Sequence, residues 1–248
     1  MSKQIYKDKF YTHFDKKKYH TNYEQSVQNI NWVSRHGFYP FIHFQMDCSK
    51  YTNDLEGNKF IKEKNRDIYY AAHIDRFIYE YYGNRLNSKY NNYMKSKGIG
   101  RVSTAYRNCS PGKCNIDFAK EVFEYIAKCE SAYIFVGDFS KFFDNLDHRY
   151  LKEKIKCVVG EKSLDVADYA IYKNITKFTY VEAEDIEAEK GLFRRDMREL
   201  DKYFETDEFH DFKKKYLHKN SKDYQIPQGS SISAVYANVY MIDFDKRI

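Results

Sequence analysis

The chain predicts an α+β or α/β protein, and two observations carry that expectation. One continuous apolar run reads as a buried strand, and the stretches flanking it repeat their apolar residues at helical spacing. Residues 132–136, Ala-Tyr-Ile-Phe-Val, are aromatic and β-branched and end at Gly137, the composition of a strand covered on both faces. Residues 65–97 place Ile68, Ala71, Ala72, Phe77, Ile78, Tyr81, Tyr82 and Leu86 three and four apart. That is one apolar helix face, closed by Gly98 and Gly100. Residues 231–244 return to the same period through Ile232, Val235, Val239 and Ile242.

The remaining elements follow in order. Residues 1–60 are polar and irregular, with an apolar burst at 38–44 that predicts a short strand or a docking segment. Ala105-Tyr106-Arg107 is a brief strand candidate, and Pro111-Gly112 marks a turn. A helix is expected over about 116–127. After the buried strand, Asn145 or Asp147 can cap a helix running through Leu151, Ile155 and Val158. Another helix spans about 163–177. A charged stretch at about 182–222, acidic first and basic later, predicts an exposed helical insertion with a solvated face.

At 248 residues the chain suffices for one large domain, and no repeat or linker divides it. Hydrophobic residues make up 42% and charged residues 31%, as in globular proteins. No apolar run is long enough for a membrane helix, and the N-terminus has no apolar core behind its charges, so a cytoplasmic protein is expected. The five cysteines include no C-x-x-C pair; Cys109 and Cys114 lack a second pair at metal spacing and read as reduced thiols. The net charge of +6 is uneven. Residues 1–128 carry 22 basic against 13 acidic side chains, a balance of +9, and the rest carry 20 against 23, a balance of −3. A basic first half fits phosphate-bearing partners or a solvated basic face.

Asp138 stands out on chemical grounds. It follows the apolar run and Gly137, so the chain delivers a carboxylate to the end of the expected strand, where such folds place reactive groups. An Asp there is either a hard oxygen ligand for Mg²⁺ or a cap of the next turn. Downstream, Gln225-Ile226-Pro227-Gln228-Gly229 combines a fixed φ, a side chain that both donates and accepts, and a glycine that admits close backbone approach, just before a helix N-terminus.

The run Asp138-Phe-Ser-Lys-Phe-Phe143-Asp144-Asn-Leu-Asp147-His148, followed by Pro227-Gln228-Gly229, resembles two motifs of the reverse transcriptases. The resemblance covers about residues 60–248 and implies an α+β right-hand polymerase: an N-terminal extension over 1–60, then fingers and a partial palm over 61–248. It implies that Asp138 and the Phe139 backbone carbonyl bind Mg²⁺. It implies that Phe143 packs under the sugar and excludes a 2′-hydroxyl; ordinary core packing is the alternative for Phe143 and the preferred reading of Phe142. Gln228 and Gly229 then contact the incoming dNTP, and Arg66, with Lys64 as the weaker match, holds its triphosphate. Arg suits that task because its planar fork binds two oxygens at once. Asp75-Arg76 is read as structural, and Tyr106 and Arg107 fall where relatives contact template. Asp144, Asp147 and His148 are expected as turn, cap and structural residues. Ser230-Ser-Ile-Ser233 departs from the Ser-Pro form of group II intron enzymes, and with Phe77-Ile-Tyr-Glu-Tyr-Tyr82 and Leu86-Asn87 the chain looks more like bacterial abortive-infection and defence-associated reverse transcriptases.

The implied reaction is RNA-directed DNA synthesis with dNTPs, an RNA template and a DNA or RNA primer, with two Mg²⁺ ions about 3.5–4 Å apart. A non-coding RNA and a completing C-terminal segment are further partners the resemblance leaves open. The family's Tyr/Phe-x-Asp-Asp motif is missing, and no adjacent Asp-Asp pair occurs anywhere in the chain. Asp243 and Asp245, two apart on a helix, are poor substitutes. The expectation is therefore a polymerase fragment that is inactive alone. One half of a split enzyme and a non-catalytic, palm-like nucleic-acid-binding module are the alternatives. A metal-dependent nuclease is the runner-up chemistry, and it lacks a second acidic cluster.

Overall fold

The computed structural model describes residues 8–54, 56–105 and 112–248. The template contact expected at Tyr106 and Arg107, Cys109, the turn at Pro111 and the N-terminal heptapeptide lie outside the described residues. In chain order, short helices α1 (Glu24–Gln28) and α2 (Ile30–Arg35) lead into strands β1 (Phe41–Asn53) and β2 (Lys59–Tyr70). Helices α3 (His73–Ser96), α4 (Asn115–Ile126), α5 (His148–Val159) and α6 (Val166–Thr176) follow. Strand β3 (Thr179–Glu182), helices α7 (Ala183–Lys190) and α8 (Thr206–Tyr216) and strand β4 (His218–Lys219) precede α9 (Ser231–Tyr240) and α10 (Ile242–Asp245).

A long antiparallel hairpin organises the sheet. β1 and β2 pair from Ile42 opposite Tyr70 to Asn53 opposite Lys59. The tip is tied by Asp54, whose carboxylate accepts from the backbone of Glu56 and Asn58 at 2.9 and 2.8 Å. β1 runs parallel to β3, which pairs antiparallel with β4, giving the order β2-β1-β3-β4. Two expectations change here. The expected helix over 65–97 starts only at His73, because residues 65–70 belong to β2. The strand expected at 38–44 begins at Phe41 and runs to Asn53. A division near residue 60 also falls inside the hairpin, where interstrand hydrogen bonds join the two sides.

The alternation of a strand sends successive side chains to opposite faces, and at the base of the hairpin each face is covered, while most side chains of its distal half are exposed. Phe41 and Tyr69 join the larger core, with Phe77, Ile78, Tyr82, Tyr90 and Met94 of α3, Leu151 and Ile155 of α5, and Ile232, Val235 and Val239 of α9. Ile42 and Val181 face the other way and meet Ala183, Ile186, Met197, Tyr203, Phe204 and Phe212, with Phe14 from the N-terminal segment. Phe204 and Phe212 stack with ring centroids 4.5 Å apart. The charged stretch at 182–222 is therefore helical as expected but no solvated appendage. It supplies the second layer on the sheet; many of its charges are exposed, while Arg194 stacks on Phe44 of β1 and Lys190 on Phe204.

A remote residue caps α3, and a local one caps α5. Ala72 has no side-chain acceptor for the start of α3, and Asp15 fills that role: its carboxylate accepts from the backbone N–H of His73 and Ile74 at 3.1 and 3.0 Å and from His73 Nδ1 at 2.8 Å. An anion at that end also complements the helix dipole. Asp147 caps α5 by accepting from Tyr150 N at 2.7 Å, as the spacing predicts. The pair Asp75-Arg76 is structural: buried Asp75 accepts from His36 Nε2 at 2.6 Å and from Tyr39 N at 2.9 Å.

Residues 132–136 are not a strand. Phe135 is 95% and Val136 88% exposed, and no strand among the described residues pairs with them. A β-prone sequence without a hydrogen-bonding neighbour has nothing to hold it in a sheet. Helix α4, close to its expected bounds, buries none of its residues. The result is a mixed α+β fold. Among the described residues no helix is long and apolar enough to cross a membrane.

Candidate functional site

The two sequence segments carrying the resemblance meet at one junction. The turn Phe143–Asn145 leads to Leu146 and α5, and residues 223–226 run antiparallel beside it. Ile226 N donates to Phe143 O and Gln225 N to Leu146 O, both at 3.0 Å, while His148 N donates to Asp223 O at 2.9 Å. His148 Nε2 adds a bond to Gln225 O at 2.7 Å, which gives that histidine the structural role expected of it. Gln225 is held at φ +80°, a conformation costly for a non-glycine residue, by bonds to its N–H, its carbonyl and its side chain.

Beyond Gln225 the chain crosses to the sheet. Pro227 is buried, and Gln228 O accepts from Tyr69 N at 2.8 Å, so the Pro-Gln-Gly turn occupies the outer edge of β2. Gly229 is obligatory there. Its φ is +124°, and a Cβ would stand 2.5 Å from Tyr69 O. Half-buried Phe143, half-buried Gln228 and β2 are thus fixed relative to one another by backbone bonds.

The other expected site residues are placed less tightly. Arg66 and Lys64 are exposed on β2, opposite Met46 and Cys48, and share the face of Ile68 and Phe44. Among the described residues neither has a carboxylate within ion-pair distance. Asp138 is exposed on the unpaired segment, not at the end of a buried strand, because that strand does not form. The Phe139 ring contacts Phe142 and Phe244 at centroid distances of 5.8 and 5.5 Å, which anchors the segment's end to α10. Phe142 and Phe143 both pack on the larger core.

These residues do not fit a pair of Mg²⁺ ions. Asp138 contributes one carboxylate, and among the described residues no three His, Cys, Asp or Glu side chains come together as a metal-binding group. Asp243 is already engaged by Lys154 and by Tyr150 Oη, the latter at 3.1 Å.

The structure also gathers polar groups that spacing did not single out as a site. His43 bridges Glu182, 2.5 Å from Nδ1, and Asp67, 3.1 Å from Nε2, across three strands. Asp144, expected only as a turn residue, accepts from Gln225 Nε2 at 3.4 Å. Burial, and then the charge of Asp67, push its carboxyl pKa above the ordinary value. No sequence signal marks this group, because Glu182 lies 139 residues from His43 and Gln225 lies 81 from Asp144. Only the sheet register and the junction bring them together.

Comparison with protein-family models finds no match, and comparison with curated proteins likewise finds none.

Proposed function

We propose that the junction is the nucleotide-holding part of a nucleotidyltransferase of the reverse-transcriptase kind, with the β1–β2 hairpin as fingers and the segments around Phe143 and Gln228 as part of a palm. The observation that carries this reading is the docking of Gln228 and Gly229 on the backbone of Tyr69. It sets a donor–acceptor side chain and a helix N-terminus beside the strand that bears Arg66 and Lys64. In this reading Arg66, with Lys64, reaches over the edge of β2 from the second face of the sheet to grip the triphosphate through charge-assisted hydrogen bonds. Gln228 orients the nucleotide, and Phe143 lies under the sugar, where a ring excludes a 2′-hydroxyl. The overall reaction is attack of a primer 3′-oxygen on the α-phosphate with release of pyrophosphate. This chain binds and orients the nucleotide for it, and the lone Asp138 leaves the ion-binding part incomplete.

The test is nucleotide binding, measured by crosslinking of radiolabelled dNTP to the purified chain. Arg66→Ala and Gln228→Ala should each weaken binding about tenfold, and Phe143→Ala should narrow the preference for dNTP over rNTP. Unchanged binding in all three variants sinks the assignment. Primer extension by this chain alone should be absent, and robust incorporation would overturn the incomplete ion site. In an assembly that supplies the remaining carboxylates, Asp138→Asn should abolish synthesis. The lone Asp138 also favours a second reading, a palm-like module that binds nucleic acid without catalysis. Tight binding of a primer–template with no dNTP crosslinking would select it.

A further inference from the structure

A prominent groove lies away from Asp138 and the Phe143 turn. It encloses about 1030 Å³ on the second face of the sheet. Its floor is Phe44, Ile68 and Tyr70 of the hairpin. One wall is the N-terminal segment with Lys9 and Phe10, and the other is the loop that carries Phe193, Arg194, Arg195 and Arg198. Four cationic side chains therefore face the groove against one carboxylate, Glu187. That carboxylate is engaged locally: it accepts from Arg194 N at 2.9 Å and lies 3.9 Å from the Arg194 guanidinium.

The walls are fastened, so the groove is a built feature. Tyr11 Oη donates to Ala71 O at 2.7 Å, and Thr12 Oγ1 donates to Met197 O at 2.8 Å, which ties the N-terminal wall to both the sheet and the opposite loop. Arg194 is stacked over the Phe44 ring, 4.5 Å from its centroid. By contrast, the groove's outward aromatics have little cover: Phe10 is 49% and Phe193 67% exposed. Among the described residues, Arg198 and Lys9 have no carboxylate within ion-pair distance. Strand alternation continues the positive charge past the groove, since Arg66 and Lys64 follow Ile68 on the same face of β2.

A polyanion with flat apolar rings spaced along it matches this arrangement. Phosphates suit the cationic rim, and unpaired bases suit exposed phenyl rings above an apolar floor. A duplex hides its bases and would leave Phe10 and Phe193 unused. We propose that this groove holds a single-stranded stretch of nucleic acid, with Arg195, Arg198 and Lys9 on its backbone and Phe193 and Phe10 stacked on its bases. Contact of this kind is insensitive to sequence and strongly dependent on salt.

The experiment is fluorescence anisotropy of the whole chain with a short labelled oligo(U) and oligo(dT) over a salt series. Both strands should bind, and a strong preference between them would identify the source as RNA or DNA. Arg195→Ala/Arg198→Ala should weaken binding at least tenfold and lower the slope of log K against log salt by about 1.4, the value for two lost phosphate contacts on a single strand. Phe193→Ala should lose about tenfold with the slope unchanged, because stacking is lost and charge is not. Both sites are exposed, and circular dichroism verifies that the fold persists. Lys214→Ala/Lys215→Ala on α8 removes the same charge outside the groove and should retain binding. Equal losses in that control, or no effect of Phe193→Ala together with equal competition by inorganic polyphosphate, would reduce the groove to a generic basic surface and overturn the proposal. dNTP crosslinking is a separate readout, so failure here leaves the nucleotide site standing or falling by its own test.

Discussion

At Gly229 a single missing Cβ decides whether the Pro-Gln-Gly turn can reach β2. Alanine would need φ +124° and would press its methyl group to 2.5 Å from Tyr69 O, so the turn or the strand edge must shift. Gly229→Ala should cost about 1–3 kcal/mol in urea denaturation, and a variant as stable as the parent would show that the turn does not seat as described. Buried His13 makes a second prediction. Burial pushes its pKa down to about 4 from 6.5, even with Asp15 close by, and it faces His73, Tyr11 and Tyr70. With the folded pKa depressed, the neutral form is the one the fold accepts. The stabilisation is then fully present above pH 6.5 and is lost as pH falls toward 4. Between pH 7 and pH 5 that is about 2 kcal/mol. Asp75 works in the opposite direction, because burial raises its carboxyl to about 6, so stability from it grows as pH falls through that value. The check is therefore a comparison: the stability advantage of the parent over His13→Gln should shrink by about 2 kcal/mol from pH 7 to pH 5. A constant difference would mean that His13 does not titrate as described.

At the scale of elements, the stretch at 182–222 divides the sequence view from the structure most sharply. Its composition is dominated by charge, and a count of side chains predicts a solvated helix. Yet Ile186, Met197, Phe204 and Phe212 are few, spaced far apart, and all turned to the second face of the sheet. Phe212→Ala should therefore cost about 3–5 kcal/mol, as for a core aromatic, whereas an exposed insertion would lose almost nothing; chemical denaturation of the variant decides. The reverse error occurs at β2. Ile68, Ala71, Ala72 and Phe77 fall at helical spacing, but Lys62-Glu63-Lys64-Asn65-Arg66 has little strand propensity, and only pairing with β1 makes it a strand. Elements set by local chemistry were legible. Asp147 and the start of α5, the helix near 166–176, α4 and α9 all follow from caps and periodicity. The β1–β3 parallel pairing and the capping of α3 by Asp15 depend on contacts far apart in sequence and left no local trace.

For the whole molecule, the residues of the candidate site were legible as residues but not as an assembly. Gln228, Gly229 and Phe143 do converge, because backbone bonds join their segments, while Asp138 stays on an exposed chain. Residues 133–136 explain the difference. Tyr-Ile-Phe-Val has the composition of a central strand, yet nothing among the described residues pairs with it, so its side chains face solvent. Exposed, uncharged and β-prone, it is a segment prone to self-association. Phe135→Asp/Val136→Asp discriminates between the two descriptions. If the segment is exposed, two charges there should change unfolding free energy by no more than about 0.5 kcal/mol and should raise the concentration at which the chain begins to aggregate in light scattering. If the segment is instead a buried strand in the folded chain, two unpaired carboxylates in a core should cost several-fold more and abolish a cooperative transition. The first result would fix the apolar run, and Asp138 with it, as surface. The second would restore the carboxylate to the end of a buried strand and return it to the junction that Gln228 and Phe143 already share.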